Sequence, residues 1–577
     1  VIPALSNRLL NDTTRQKGGF IFGVTKPLAT LGAKFVHLIV RLTKHVITNR
    51  ARSMAMVAIL CGTGAVVTYL FLPKLDYLPT GNRNLILGVV LPPPGYNLET
   101  TSEIATRIES EISPLWQGSD GTLAHEQNGT TNSDPDQPAK VQRFFFVAWR
   151  GTTILGAAAA DPSRVKDLIP VLSNAVYKEP GTFGLISQRS LFARGIGGGR
   201  SIDLNVTGPS LEDILETAHR AYGKISGVLP QSEGTQIRPK PGLELGAPEI
   251  RVIPNRIKLA DNGVTARELG DTLDAFNDGL RVAEITVDNK RMDLTLAGPD
   301  NGVIETQGIA NLPVVTSDGK ILPASSLADI SVTSGPIEIR HLERQRTVTL
   351  QIRPPDNMAL ESVLDILEAD VVDALKAEGL PDGVRLRMSG TADKLSQTWD
   401  AMVLDLLIAV VIVYLAMAVL FESFVYPLVI MLSVPLATAG GIGGLALVNM
   451  VTFQPLDMLT LLGFVILIGI VVNNAILLVH QTLFHLRDEG MSPHDAIMEA
   501  TRNRIRPIFM STLTSVFGMV PLVVFPGAGS ELYRGLGSVV VGGLSLSALL
   551  TLLIIPPLLA LIIRRTEAPV PSTAPAE

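Results

Sequence analysis

The amino-acid sequence predicts a membrane α-helical bundle of six transmembrane helices, joined to an α+β domain outside the membrane. Three observations support this fold class. Apolar residues make up 46% of the 577 residues and charged residues only 18%, whereas about 25% of an ordinary soluble chain is charged. Six windows are apolar enough to cross a bilayer. Residues 74–400, of mixed composition, lie between the first two windows.

A helix that crosses the hydrocarbon core needs about 20 consecutive apolar residues. The windows that approach or exceed this length, and that hold no Asp, Glu, Lys or Arg, are 53–73, 406–421, 423–456, 458–479, 507–530 and 535–563. The hydrophilic stretch 485–506 between the fourth and fifth windows has a helical period. Asp405 and Asp457 lie at the ends of windows, and His480 lies at the end of a helix. We therefore expect these three to be solvated boundary residues.

Basic residues near the window ends set the orientation, because Lys and Arg concentrate on the cytoplasmic side. Before the first window, Asp12 is the only acidic residue, and the basic residues are Arg8, Arg15, Lys17, Lys26, Lys34, Arg41, Lys44, Arg50 and Arg52. Counting spans from this cytoplasmic end returns two further basic groups to the cytoplasm. These groups are Arg487, Arg502, Arg504 and Arg506, and then Arg564 and Arg565. The three clusters agree on one topology, with residues 74–400 outside.

The segment 26–50 is amphipathic, with apolar residues at helical spacing and basic residues on the other side. The apolar residues are Phe35, Leu38, Ile39, Leu42 and Val46. Such a helix can lie on the cytoplasmic membrane surface. A linker helix packed on the protein would show the same pattern, so both alternatives stay open.

The region outside the membrane alternates strand and helix signals. The predicted strands are 84–91, 141–147, 201–206, 235–238, 347–352 and 384–388, and the predicted helices are 99–112, 164–176, 211–228 and 360–378. This order predicts two split β-α-β sandwiches of the ferredoxin type. The second is interrupted by an insertion over 243–333, which looks like a partner-binding module.

The residues exclude several classes of function. A net charge of −6 gives no case for nucleic acid as a partner, and the single cysteine, Cys61, rules out an internal disulfide framework. Phosphate-binding glycine loops, metal-ligand spacings and a Ser/His/Asp array are not evident. We therefore predict no catalytic residues, no metal site and no bound cofactor.

The apolar run 144–149 and the glycine-flanked segment that follows it are candidates for a substrate path. We expect Phe144 and Phe146 to pack in the core of a sandwich. Residues 149–156 fit a mobile loop that lines a pocket and fit the strand core equally well. The candidate path residues are Trp149, Thr152, Thr153, Ile154 and Leu155.

Several short motifs, in a fixed order along the chain, carry a resemblance to a known family. They are Asp76-Tyr77-Leu78-Pro79, Leu91-Pro92-Pro93-Pro94-Gly95, the run from Leu420 to Pro427, the run from Gly469 to Val479, Arg504-Ile505-Arg506-Pro507-Ile508 with Thr512, and Gly527-Ala528-Gly529-Ser530-Glu531. In this order the chain resembles the resistance-nodulation-division (RND) efflux permeases of the hydrophobe/amphiphile type. It is similar to their C-terminal half, so we expect an N-terminal half of the same protein as a partner.

The resemblance implies a domain organisation. Residues 1–52 would hold the end of a preceding span and a cytoplasmic amphipathic linker, 53–73 the first transmembrane helix, 402–563 the other five, and 564–577 a cytoplasmic tail. Outside the membrane, 80–200 would form the first porter subdomain, 201–242 with 334–397 the second, and 243–333 the docking subdomain. The resemblance also implies a homotrimer in the bacterial inner membrane. This trimer would work with a periplasmic adaptor and an outer-membrane channel.

The resemblance further implies proton coupling through an aspartate pair in the N-terminal half. In the family this pair faces a lysine, and Asn473 stands at that position here. Asn473, Asn474, Ser511 and Thr512 are then relay partners that orient carboxylates and water, with Arg504 as a cationic entrance. The alternative is that the four polar residues are interhelical hydrogen-bonding partners and Arg504 an ordinary positive-inside residue. Packing is the expected role of Gly440, Gly441, Gly443, Gly444, Gly542 and Gly543.

The function that this resemblance implies is export of amphiphilic small molecules by proton antiport, driven by the proton-motive force without a cofactor. Two alternatives remain. One is an exporter of lipids or envelope components, which usually lacks a docking insertion. The other is a non-transporting scaffold or sensor derived from a half-transporter.

Overall fold

The structure is a computed structural model. It describes residues 20–79, 81–93, 96–116, 139–149, 152–191, 200–243, 246–277, 279–298, 306–336, 338–525 and 530–566. Within these ranges, the helices are α1 (Phe20–Ile47), α2 (Arg50–Phe71), α3 (Leu98–Ile112), α4 (Leu168–Tyr177), α5 (Leu211–Val228), α6 (Arg256–Asp261), α7 (Ala266–Asn277), α8 (Leu360–Ile366), α9 (Asp373–Glu378), α10 (Thr391–Phe421), α11 (Val425–Met431), α12 (Ser433–Asn449), α13 (Met458–Arg487), α14 (Pro493–Val524) and α15 (Arg534–Thr566). A π-helical turn, Leu367–Val372, joins α8 to α9.

The strands lie between α2 and α10. They are β1 (Ile86–Leu91), β2 (Val141–Trp149), β3 (Thr152–Ala159), β4 (Phe183–Gln188), β5 (Ile202–Gly208), β6 (Gln236–Lys240), β7 (Ala247–Pro254), β8 (Leu280–Val287), β9 (Lys290–Leu296), β10 (Pro313–Val315), β11 (Ile321–Pro323), β12 (Ala328–Gly335), β13 (His341–Leu342), β14 (Gln345–Arg353) and β15 (Arg385–Gly390).

Six helical stretches among the described residues are long and apolar enough to cross a membrane, as predicted. They are Arg50–Phe71, Thr391–Phe421, Val425–Asn449, Met458–Arg487, Pro493–Val524 and Glu531–Ile563. Three predicted boundaries are wrong by more than a turn for one reason. An apolar window marks only the part of a helix that suits the hydrocarbon core, so the polar starts of α10 and α14 and the polar end of α13 lie outside the predicted windows. The third stretch ends earlier than predicted because residues 450–456 form a loop.

Within this bundle α12, α13 and α15 are largely buried, while α2, α10 and α14 lie at its periphery. Glycines allow a close contact between α12 and α15. A Cβ added at Gly542 would lie 2.6 Å from both Gly440 O and Gly444 Cα. Packing is therefore confirmed as the role of these glycines. Gly443 is different, because an added Cβ there would meet nothing within 4 Å.

The first four strands form one antiparallel sheet of order β2-β3-β1-β4. The helices α3 and α4 cover it, and the core between them contains Ile104, Ile108, Leu155, Leu172 and Ile186. The predicted strand at β1 and the helices over α3 and α4 are confirmed. The strands β3 and β4 were not predicted. Glycine and alanine make up half of β3 (TTILGAAA), so only its first three residues are of the β-branched type that marks a strand.

A second antiparallel sheet contains the order β13-β14-β5-β15, and β6 pairs β14 on the same edge as β13, opposite β5. The helix α5 and the α8–α9 segment pack on it, over a core that includes Ile202, Ile225, Leu350, Leu360 and Leu375. All the strands and helices predicted for this unit are present. The chain between β6 and β13 forms the insertion.

The insertion has its own small core and three pairs of strands. The pairs are β7 with β12, β8 with β9, and β10 with β11, all antiparallel. Leu259, Leu269, Val314 and Leu327 are buried beneath them. The β8–β9 hairpin extends away from this core, and most of its residues are exposed on both faces.

The amphipathic helix α1 packs against the membrane bundle along its second half. Ile39, Thr43 and Ile47 are buried there, and the Phe35 ring meets the Phe509 ring edge-on with centroids 5.0 Å apart. After α1, Asn49 caps α2, because its side chain accepts a hydrogen bond of 3.0 Å from Ala51 N. Thus α1 has a protein partner over residues 35–47.

Candidate functional site

The first candidate site is a polar contact between α13 and α14 in the middle of the bundle. Asn474 and Thr512 are both buried, and Asn474 Nδ2 donates to Thr512 Oγ1 over 3.4 Å. Ser511 Oγ instead donates to Ile508 O within its own helix, at 3.0 Å. The predicted relay set is therefore split, and Asn474 and Thr512 form the part that joins the two helices.

Asn473 lies on a different face of α13 from this contact, about 100° around the helix from Asn474, and its side chain is exposed. The exposed face that carries it consists of Ile466, Gly469, Ile470, Asn473, His480 and Phe484. An unpaired amide in an apolar membrane environment costs about 1–3 kcal/mol. This face therefore presents an exposed polar group among apolar residues.

Arg504 approaches α13 near the end of the span. Its Nη2 donates to Gln481 Oε1 over 2.6 Å. Its Nε is buried and has no hydrogen-bond partner among the described residues. An ordinary positive-inside arginine extends into solvent, so this half-buried, directed contact favours a more specific role.

The second candidate site is a groove where the chain leaves the membrane. Its volume is about 790 Å³. Its walls come from α2, α10, the α11–α12 region and the loop before α13, with Tyr69, Lys74, Glu361, Trp399 and Leu436 among the lining residues. The lining is mostly apolar, and Lys74 and Glu361 lie at one end with Lys74 Nζ 3.6 Å from Glu361 Oε1.

Backbone hydrogen bonds tie the segment after α2 to the loop before α13. Asp76 N donates to Leu456 O over 3.1 Å, and Leu456 N donates to Lys74 O over 3.1 Å. A third bond of 3.3 Å runs from Met458 N to Tyr77 O. This joint, which comprises residues 74–77 and 456–458, connects the membrane bundle to the start of the α+β domain.

A buried ion pair lies directly on the joint. Asp76 Oδ2 is 2.9 Å from Arg200 Nη2, and the two side chains are only 2% and 7% exposed. Arg200 also donates to the carbonyl oxygens of Pro355 and Met358. Burial raises the pKa of the Asp76 carboxyl, while Arg200 and the Tyr77 N–H oppose that rise.

Asp457 corrects the expectation of a solvated boundary residue. It does lie at the start of α13 as the N-cap, with Oδ1 accepting bonds of 2.8 Å from Thr460 N and from Thr460 Oγ1. However, its exposed fraction is 0%. Burial raises the pKa of the Asp457 carboxyl to about 6, against the effect of the Thr460 bonds, and the nearby Asp76 carboxylate adds to the rise.

The predicted loop over 149–156 is wrong in its described part. Thr152–Ala159 forms β3, paired with β2 in a register that sets Trp149 opposite Thr152 and Phe146 opposite Leu155. Thr153 and Leu155 are buried, and Ile154 is half-buried. Buried strand residues cannot line an open path in this conformation. Residues 150–151 lie outside the described residues. Phe144 and Phe146 pack against the core, as expected.

Two features of these sites were not predicted from the sequence. Lys74, Glu361 and Trp399 meet in the groove from three distant segments, and no local pattern marks them. Asp457 had a local signal, the Asp-x-x-Thr capping spacing, but its burial depends on the joint. No group of three or more His, Cys, Asp or Glu that could hold a metal occurs within the described ranges.

Comparison with known proteins supports a transporter. The model of the AcrB/AcrD/AcrF family matches residues 1–563, which is nearly the entire 577-residue chain. Six apolar helices and two mixed α/β layers outside them agree with an RND permease. The chain belongs to the AcrB/AcrD/AcrF family of RND transporter permeases.

Proposed function

We propose that this chain is part of the inner-membrane permease of a tripartite efflux pump that exports amphiphilic compounds by proton antiport. The observation that carries the proposal is the groove beside the joint. Its volume of about 790 Å³ lies within the range of about 300–1,000 Å³ that suits drug-sized ligands. An apolar lining with charges at one end matches the two parts of an amphiphile.

The position of the groove supports lateral entry from the membrane. Tyr69 and Leu72 are on its wall, at the outer end of α2, and both are exposed. Glu361 comes from the α+β domain. An amphiphile in the outer half of the bilayer would therefore reach the apolar wall with its tail and the Lys74–Glu361 end with its headgroup.

Proton coupling is supported by the exposed face of α13. The amide of Asn473 lies mid-span and exposed, and a partner helix must cover it if it is to be hydrogen-bonded. We propose that a carboxylate-bearing helix of the N-terminal half, which the family resemblance implies, packs on this face. Asn474 and Thr512 then hold α13 and α14 together behind it, while Asn473 orients the carboxylates.

The hairpin β8–β9 supports an oligomer and a docking role for 243–333. Its exposed apolar side chains occur in both strands and are Val282, Ile285, Val287, Met292, Leu294 and Leu296. A two-stranded ribbon with apolar residues exposed on this scale is typical of an interaction site. We propose that it contacts a neighbouring subunit in a homotrimer, and that the insertion faces the adaptor and the outer-membrane channel.

The two sheets support the assignment of two porter subdomains. In each, the chain order is β-α-β-β-α-β, with strand orders β2-β3-β1-β4 and β6-β14-β5-β15. This is the arrangement of the split β-α-β unit. We assign the first sheet to the porter subdomain 80–200 and the second to 201–242 with 334–397, both in the periplasm.

The test uses the complete protein, with the preceding half that the family implies, reconstituted in proteoliposomes. We expect a pH gradient to drive movement of a fluorescent single-chain amphiphile and an uncoupler to stop it. Ala65→Trp, which fills the groove, should reduce the rate several-fold. Ala58→Trp is the matched control, because Ala58 is exposed on the same helix but does not line the groove.

The alternatives give different results. Movement of a phospholipid analogue in place of the amphiphile would favour an exporter of envelope lipids. A protein that is inserted and folded but moves neither compound would favour a scaffold or sensor. Equal rates for Ala65→Trp and Ala58→Trp would remove the groove from the transport path.

A further inference from the structure

A chain of polar side chains runs from α14 along the end of α13 to the turn that joins them. Arg504 Nη2 donates to Gln481 Oε1 at 2.6 Å, and Gln481 Nε2 lies 3.0 Å from His485 Nε2. His485 Nδ1 in turn lies 2.5 Å from Glu489 Oε2. The imidazole is buried, with its side chain 7% exposed, while Glu489 is 39% exposed and reaches solvent.

The two ends of the chain fix the direction of every hydrogen bond in it. A guanidinium only donates, so Gln481 must present its oxygen to Arg504 and its NH₂ group to His485. The facing nitrogen, His485 Nε2, must then accept and carries no proton. The proton of the neutral imidazole is therefore on Nδ1, where it is donated to the Glu489 carboxylate.

Protonation of His485 is incompatible with this arrangement. A proton on Nε2 would face the Gln481 NH₂ group, donor against donor. If the amide rotated to accept that proton, its NH₂ group would face Arg504, which also only donates. In either orientation the single acceptor of the amide, Gln481 Oε1, faces only one of the two cationic donors. Either change weakens the contact that holds Arg504 on α13.

Three charged groups near this end of α13, Arg487, His494 and Asp495, have partners elsewhere. The Arg487 guanidinium lies over the Tyr426 ring, 5.9 Å from its centroid, and His494 lies 3.7 Å from Asp495 at the start of α14. The hydrogen bond from Ser492 lowers the pKa of the Asp495 carboxyl, and the charge of Lys44 on α1 adds to that lowering. Among the described residues, Glu489 directly and Arg504 through Gln481 are the charged groups linked to His485 by hydrogen bonds.

From this geometry we propose that His485 is a positioning residue for Arg504 and makes transport depend on cytoplasmic pH. The inference rests on the proposed function and orientation. With His485 neutral, Gln481 holds Arg504 at the inner end of the α13–α14 contact. With His485 protonated, Arg504 is released, and the pump slows as the cytoplasm becomes acidic. Imidazole is the side chain that changes charge in the range of about pH 5–8.

The test compares three variants of the complete protein in proteoliposomes. Transport is measured at a constant pH gradient while the pH on the side of the 488–492 turn is varied between about 6 and 8. The parent rate should fall several-fold toward the acidic end. His485→Gln should keep the high rate throughout, because an amide can accept from Gln481 and donate to Glu489 but does not titrate.

His485→Lys imitates the protonated state, since a lysine only donates, and it should be slow at every pH. His494→Gln is the matched control, and it should keep the parent profile because His494 has no link to Arg504. If the parent moved no substrate in response to a pH gradient, the proposed function would fall and this inference with it. If the parent transported substrate and His485→Gln had the same pH profile, this inference alone would be overturned.

Discussion

Arg200 and Asp76 form a buried ion pair, 2.9 Å between Nη2 and Oδ2, that fastens the α+β domain to the end of the first membrane helix. The two residues come from different parts of the chain, one from the segment after α2 and the other from the segment before β5. The carbonyls of Pro355 and Met358 also depend on Arg200 as a donor. The pair therefore joins three segments at one point.

We predict that Arg200→Met strongly destabilises the protein. It leaves the Asp76 carboxylate buried without a counter-charge, which typically costs about 3–5 kcal/mol. Thermal unfolding in detergent measures the effect. Arg387→Met is the control, because its partner Glu343 lies at 2.8 Å but the two side chains are 58% and 75% exposed. An exposed pair contributes at most about 1 kcal/mol. Equal losses in the two variants would contradict the prediction.

The raised pKa of Asp457 predicts that Asp457→Asn stabilises the protein relative to the parent, by an amount that depends on pH. The pKa of about 6 in the folded state lies above the ordinary value of 3.8. The folded protein therefore binds more protons between about pH 4 and 6, so the stability of the parent falls as the pH rises through that window. The free energy of unfolding that the parent loses over the whole window is roughly 3 kcal/mol. Asparagine still caps the helix and does not titrate.

Melting temperatures of the parent and Asp457→Asn, measured in detergent across this window, give the test. We expect the variant to gain stability relative to the parent as the pH rises from about 4 to 6, and to keep that gain above pH 6. A difference that does not vary with pH would show that Asp457 does not titrate in this range.

The glycine contact between α12 and α15 predicts that Gly542→Ala is destabilising. A methyl group there would lie 2.6 Å from backbone atoms of Gly440 and Gly444. Forcing the helices apart costs roughly 1–3 kcal/mol. Gly443→Ala is the matched control on α12, because nothing lies within 4 Å of an added Cβ. Thermal unfolding of both variants would decide the matter, and a stable Gly542→Ala would mean that the two helices separate at little cost.

The orientation predicts opposite labelling of two single cysteines. The chain has one cysteine, so Cys61→Ala provides a background for Ser232→Cys in the α+β domain and Asp488→Cys in the α13–α14 turn. Both positions are exposed. An impermeant thiol reagent added to spheroplasts should label residue 232 and not residue 488. Labelling at 488 alone would invert the topology.

The sequence predicts the membrane helices and much of the α+β domain because both depend on local patterns. Long apolar windows and β-α-β alternation can be recognised in the sequence without knowledge of the tertiary contacts. The failures have a common cause. The strand β3 exists because its small residues pair with β1 and β2, and the burial of Asp457 depends on residues 74–77. The groove likewise requires Lys74 and Trp399 to meet across a long stretch of sequence.

In the candidate site, too, some features follow from local sequence patterns and others from tertiary packing. The position of Asn473 in the middle of a span follows from the apolar window. The exposure of Asn473, next to a buried Asn474, follows from how α13 packs. The contact of Arg504 with Gln481, and through it with His485, is also set by the packing of α13 against α14. A single sequence gives no signal for such pairs.

The backbone bonds between residues 74–77 and 456–458 carry a consequence for the engineering of chimaeric transporters. Because the Asp76–Leu456 and Leu456–Lys74 bonds use main-chain atoms, most side chains along these two segments can be exchanged without cutting the connection. The exceptions are Asp76, which pairs with Arg200, and Asp457, which caps α13. A graft of a foreign α+β domain that begins after residue 73 and ends before α10 would bring a new 74–77 segment against the resident 456–458 loop. The main-chain bonds can re-form in such a graft, provided that it also carries an aspartate at position 76 together with its arginine partner.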